Sequence, residues 1–228
     1  MSGPRRIDII ISVQTFKNGL KVYLSGIYAG LCVVLAASIY LVFYSINLRP
    51  VGSVLFSVGL IIIVYYGFAL YTGKIGYAFA LRDRPSGLTL LMAFLGNATA
   101  VVIGGFILSL LRFTGWNALF DIVDGIAVSR MIGSGETWYM ALIYGFFCGV
   151  LVFLAIHTHK KAKSTWVKYI GLIFFISAFV ILGMEHCLAN MFFFSLGNAW
   201  NGALLLNVVI IIAGNSLGGM FGYLLTYL

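Results

Sequence analysis

The stretch KYIGLIFFISAFVILGMEHCLANMFFF, residues 168–194, is almost wholly apolar yet carries Glu185, His186 and Asn190 near its close. An ionisable side chain at bilayer depth costs roughly 2.5–3.5 kcal/mol on insertion scales, so such residues normally face a protein-lined cavity or a permeation path. The stretch is long enough to cross a hydrocarbon core of roughly 30 Å, which takes about 20 residues. It decides the fold class and marks the first candidate site.

The rest of the chain agrees. With 62% hydrophobic and 9% charged residues and a mean hydropathy of +1.07 over 228 residues, it cannot cover itself with the polar surface a soluble globule needs. Six candidate spans follow, at about 22–47, 52–71, 88–111, 138–157, 168–194 and 202–227. The expected class is therefore an all-α membrane protein with six transmembrane helices.

A net charge of +8 raises the question of nucleic acid, but the basic residues cluster on alternate connections, which is a topology signal. An N-terminus inside the cell puts Arg5, Arg6, Lys17, Lys21, Arg82, Arg84, Lys160, Lys161, Lys163 and Lys168 on the cytoplasmic side. Only Arg49, Arg112 and Arg130 then fall outside, and Lys74 lies within the membrane region. This reads as a multi-pass protein of the cell membrane with both termini cytoplasmic and no nucleic-acid partner. Residues 1–21 carry Ile9, Ile10, Val13, Phe16 and Leu20 at helical spacing and read as a cytoplasmic interfacial helix ahead of a channel domain at 22–228. Cys32, Cys148 and Cys187 share no metal-ligand spacing and predict neither a disulfide framework nor a metal site.

Polar interruptions recur along the chain. Thr72 precedes Asn97 by 25 residues and Asn190 precedes Asn215 by 25, so the same order returns about 118 residues later. The pattern predicts halves at about 22–112 and 137–228, joined by an external linker at 113–136. Three spans per half make the repeat inverted, with binding sites expected at the interface of the halves and with discontinuous second and fifth helices. Non-helical backbone at that depth is tolerated only where protein or water satisfies it. In the linker, Trp116, Leu119, Phe120, Val123 and Ile126 predict a helix lying on the membrane surface. Gly214 and Gly218 stand at a GxxxG spacing that lets helix backbones approach.

An intramembrane enzyme would need a nucleophile with its base or a spaced metal set, and no such arrangement appears. A haem-binding electron carrier would need histidines at matching depths, whereas His157 and His159 lie at the inner edge, apart from His186. A pore for small acids fits better. A bare anion in an apolar constriction is heavily penalised, while desolvation favours the neutral conjugate acid. His186 either lends a proton to such an anion or holds it as imidazolium.

EHCLANMF at 185–192 resembles the signature of the formate/nitrite transporter family. LYTGK at 70–74, LGN at 95–97 and AGNSLGG at 213–219 resemble its second-, third- and sixth-span motifs, in the right order and over almost the whole chain. The resemblance implies a homopentamer of aquaporin-like protomers, each with its own pore for small monovalent anions such as formate or nitrite, or for their conjugate acids, and no cofactor. Carried over, the substrate-pore residues are His186, Thr72 and Asn190. The apolar constrictions are Phe56, Leu60, Tyr71 and Phe179, with tyrosine replacing a more usual phenylalanine. Glu185, Asn97, Asn215 and Gly149 are expected to be structural.

Two departures stand out. The family's lysine before the fourth span falls on Gly133 by register, and a small insertion around Gly133-Ser134-Gly135 brings Arg130 into its place as an anion-attracting residue beside Glu136. Gly149 and Lys74 stand where asparagine is common, a pattern closer to the hydrosulfide-channel branch. Hydrosulfide is thus the alternative substrate, and Lys74 a second candidate for attracting anions.

Overall fold

Helix formation follows the apolar runs closely. The computed structural model describes residues 6–80 and 84–226, with the side chains of 17–80, 84–112 and 115–226. Arg5 and Arg82, and the side chains of Arg6 and of the apolar positions from Ile9 to Phe16, lie outside the described residues. The helices are α1 (Arg6–Ser45), α2 (Arg49–Tyr66), α3 (Tyr71–Ile75), α4 (Gly87–Ser109), α5 (Asn117–Ser129), α6 (Trp138–Lys161), α7 (Thr165–Ile181), α8 (Cys187–Leu196) and α9 (Gly202–Leu225). Among the described residues five are long and apolar enough to cross a membrane: Lys17–Ser45 within α1, α2, Gly87–Arg112 spanning α4 and the turn after it, α6 and α9. The stretch 168–194 is instead divided between the shorter helices α7 and α8.

The expected boundary near residue 21 between an interfacial helix and the first span is not a break: α1 runs unbroken for 40 residues. At 1.5 Å per residue that is about 60 Å, twice the hydrocarbon thickness, so its first turns extend beyond the span. The linker helix α5 also departs from expectation. It buries Leu119, Phe120, Val123 and Ala127 against the protein, packing on α1 and α8, while Trp116 stays exposed. An apolar stripe at helical spacing suits lipid and protein alike, and here protein takes it. Arg112 pins α5 in place by donating to both carboxylate oxygens of Asp124, at 3.0 and 2.8 Å.

Both expected breaks are present, and they are built alike. α2 ends at Gly67 (φ 71°) and α7 is followed by Gly183 (φ 71°), the left-handed backbone that glycine adopts without strain. Past each glycine one amide reaches back, Phe68 N–H to Ile63 O at 2.9 Å and Met184 N–H to Phe179 O at 3.0 Å. α3 then begins at Tyr71 and α8 at Cys187. All these pairs are 116 residues apart, not 118, so Thr72 corresponds to Leu188, and Asn190 corresponds to Lys74 rather than to Thr72.

Asn97 and Asn215 lock the two breaks. The Asn97 amide donates to Gly26 O (2.8 Å) and Ala69 O (2.9 Å), and its Oδ1 accepts from Tyr71 N–H (2.8 Å). Asn215 repeats the set with Gly145 O (2.8 Å), Glu185 O (2.8 Å) and Cys187 N–H (2.9 Å). Both asparagines are fully buried, and each supplies partners that the interrupted backbone has lost. Each of the helices carrying them packs closely on a neighbour, α4 on α1 and α9 on α6. A Cβ on Gly149 of α6 would strike the carbonyl oxygen of Asn215 on α9, so this position excludes any larger residue. Gly149→Ala is expected to cost ~1–3 kcal/mol, seen as a lower unfolding temperature in detergent. Gly87→Ala, whose Cβ meets nothing within 4 Å, should stay within about 0.5 kcal/mol of the parent.

Candidate functional site

Three cavities lie in series and share lining residues at their borders. The first, about 190 Å³, is lined by Tyr40, Arg49, Arg130, Phe179, His186 and Asn190 among others. The central one, about 30 Å³, is lined by Phe56, Leu60, Ile63, Leu70, Phe179 and His186 with other apolar groups. The third, about 150 Å³, is reached past Ile63 and Leu70 and carries Lys74 and Lys160. Phe56 and Phe179 separate the first from the second, packed edge to face with ring centroids 5.8 Å apart. The backbone breaks explain this line, because α2 and α7 each stop short and leave their ends facing the same axis.

Among the described residues His186 is the one ionisable group on the central cavity, and it is only 6% exposed. It is the N-cap of α8, with extended backbone at φ −108° and ψ 118°. Its Nδ1 accepts from Ala189 N–H at 3.4 Å, and its Nε2 lies 3.1 Å from Thr72 Oγ1. Since Nδ1 is the acceptor, the hydrogen-bond pattern assigns a neutral ring with its proton on Nε2, donated to Thr72 Oγ1. That leaves the threonine hydroxyl hydrogen available to a further acceptor. The Phe179 ring lies 6.1 Å from the imidazole, centroid to centroid.

Next to it, Glu185 turns away into a dense polar cluster. Its side chain is fully buried, with Oε1 paired to Arg130 Nη1. Oε2 accepts from Asn190 Nδ2 at 2.8 Å and from Asn207 Nδ2 at 3.2 Å. Asn207 Nδ2 also donates to Glu136 Oε2 at 3.1 Å, and Asn190 Nδ2 to Asn207 Oδ1 at 3.2 Å. Arg130 further donates to Gly183 O at 3.3 Å, tying the cluster to the break after α7. A buried carboxylate is tolerable only when a counter-charge and hydrogen bonds replace its water, and here both do. Burial raises the Glu136 carboxyl above its ordinary value, partly offset by Arg130 and the Asn207 amide.

A sequence model of formate/nitrite transporters matches residues 12–228, nearly the whole chain. The chain belongs to the formate/nitrite transporter family. It is similar to the formate channel FocA of Haemophilus influenzae, 28% identical over an alignment of 207 residues that covers 83% of this chain and 72% of that one. Among solved structures it is similar to a pentameric formate channel with formate bound, at a TM-score of 0.76 and 25% identity, covering 92% of this chain and 96% of the other. An FNT family ion channel matches at a TM-score of 0.70 and 22% identity over 92% of this chain and 88% of that one, a likeness of fold alone. These relatives are channels and transporters, so this formate/nitrite transporter is a multi-pass transport protein and not an enzyme.

Within the transporter, His186, Phe56, Leu60 and Phe179 come together around the central cavity, and Thr72 stands behind them, buried and 3.1 Å from His186 Nε2. Tyr71 does not join them. Its ring stands edge-on to Phe94 at 5.2 Å and its hydroxyl meets Ser216 Oγ at 2.9 Å, which points it away toward α4 and α9. Leu70 and Ile63 close that end instead. Asn190 lines the first cavity, yet both amide hydrogens are committed to Glu185 and Asn207. The Arg130 charge is matched by Glu185, so the cation without an acidic partner among the described residues of that cavity is Arg49. Its guanidinium lies 5.3 Å over the Tyr44 ring, and its buried Nε has no hydrogen-bond partner. Sequence reasoning passed over Arg49 as a plain loop charge and Asn207 as part of an apolar run.

Proposed function

We propose that this chain is a pore for small monovalent anions, formate and nitrite foremost, which cross the constriction as their conjugate acids. The observation that carries this is the central cavity: a wholly apolar chamber, except for one imidazole hydrogen-bonded to one threonine. At about 10–15 Å³ per water its space of about 30 Å³ has room for two or three water-sized groups, enough for a stripped anion of three heavy atoms and too little for a hydrated one. An anion gathered at either basic cavity sheds water between Phe56 and Phe179 or between Ile63 and Leu70. There its charged form is penalised, and it takes up a proton from the vestibule water, so that one proton crosses with each anion. The imidazole of His186 is the polar group it meets there, able to exchange its Nε2–H bond to Thr72 Oγ1 for one to the substrate.

The matching Asn97 and Asn215 networks and the two left-handed glycines support an inverted three-plus-three, aquaporin-like arrangement. The distribution of basic residues supports a cell-membrane protein with cytoplasmic termini, so the arginine-lined cavity is the outer vestibule and the lysine-lined one the inner. Likeness to a pentameric formate channel supports a homopentamer in the bilayer, and the pore as read uses no cofactor. Hydrosulfide is the second reading, favoured by a lining that is apolar apart from His186 and so offers few hydrogen bonds to oxyanion oxygens.

Proteoliposomes containing a pH dye test the mechanism. Formate uptake is expected to acidify the lumen and to speed up as external pH falls. A formate current without acidification would overturn it, and uptake of hydrosulfide alone would move the assignment to the second reading.

A further inference from the structure

The two vestibules differ in charge, and the repeat shows why. In the second half, Glu185 precedes α8 and is held by Asn190 and Arg130. In the first half the corresponding positions are Ala69 and Lys74, so the carboxylate is missing and a cation stands where the amide stood. Lys74 is half-buried in α3, lines the inner cavity of about 150 Å³, and has no hydrogen bond or ion pair among the described residues. Among the described residues none that lines that cavity is acidic, and Lys160 shares it.

We propose that Lys74 makes the inner vestibule an anion-binding site in its own right, for small monovalent oxyanions of the formate and nitrite class. Resting on the pore reading above, this site loads the channel from the cytoplasm at lower concentration than the outer vestibule does from outside. A point-charge ammonium in a low-dielectric cavity with no competing carboxylate holds an anion more firmly than a guanidinium already committed to one. At the outer mouth Arg49 is the cation without an acidic partner among the described residues, and it shares a larger cavity with Arg130, whose charge Glu185 already matches.

The test compares formate uptake into inverted membrane vesicles, which present the cytoplasmic mouth, with uptake into right-side-out vesicles. In the parent the half-saturating formate concentration is expected to be lower in inverted vesicles. Lys74→Gln should raise it there about tenfold, the worth of one charge-assisted contact, and move it less than twofold in right-side-out vesicles. Arg49→Gln should do the reverse. Parent vesicles without formate flux overturn the pore reading itself. Flux that is linear from the cytoplasmic face, or a Lys74→Gln variant that alters both faces equally or neither, overturns this inference and leaves the pore standing.

Discussion

Replacing His186 with alanine should lower formate flux through reconstituted protein about 10–100-fold and flatten its rise with acidity. The central cavity would lose the sole ionisable group among its described lining residues, and Thr72 the partner 3.1 Å from its hydroxyl. One hydrogen bond to a charged or charging group is worth roughly 1.5–3 kcal/mol, and each 1.4 kcal/mol is a factor of ten. Alanine also removes the α8 N-cap, which costs about 0.5–2 kcal/mol of stability, so a damaged fold must be separated from damaged chemistry. His186→Asn does this. Asparagine is a good N-cap but exchanges no proton near neutral pH, so this variant is expected to unfold at the parent temperature and yet carry as little formate as the alanine variant. Wild-type flux and pH dependence in both would remove His186 from the mechanism.

What was legible in the sequence is what breaks an apolar pattern. Glu185, His186 and Thr72 announce the two helix breaks because polar groups at bilayer depth need a reason, and Asn97 and Asn215 announce their helix-bridging role by the same logic. Direction and partnership were not legible. Tyr71 neighbours Thr72 but starts a helix, and the turn that sends Thr72 to His186 sends the tyrosine ring to Phe94. Leu70 and Ile63 close the inner end of the chamber, and nothing distinguishes them from dozens of other aliphatic residues. The repeat offset read from asparagine spacing missed the breaks by two residues, because the segments between the breaks and the asparagines differ in length in the two halves. The join of the N-terminal segment to the first span lacked any stop signal, and α1 accordingly passes through it.

The pairing of Arg130 with Glu185 spans 55 residues and leaves no periodic trace, yet it changes what mutation of Arg130 should do. A residue that merely attracts anions could be cut to alanine with a normal fold and a higher half-saturating concentration. In this structure Arg130→Ala strands a fully buried carboxylate, whose only remaining donors are the amides of Asn190 and Asn207. Breaking a buried pair from one side costs about 3–5 kcal/mol, so poor extraction and a sharply lowered unfolding temperature are expected. Glu185→Gln alone should cost less, because the Arg130 side chain is 20% exposed and can reach water in the outer vestibule. The double variant Arg130→Met with Glu185→Gln removes both charges together and should recover most of the loss, since replacing a buried pair by neutral groups is often close to neutral. If Arg130→Ala instead unfolds at the parent temperature and only weakens anion capture, then the pair does not hold the fold, and Arg130 rather than Arg49 is the working charge of the outer mouth.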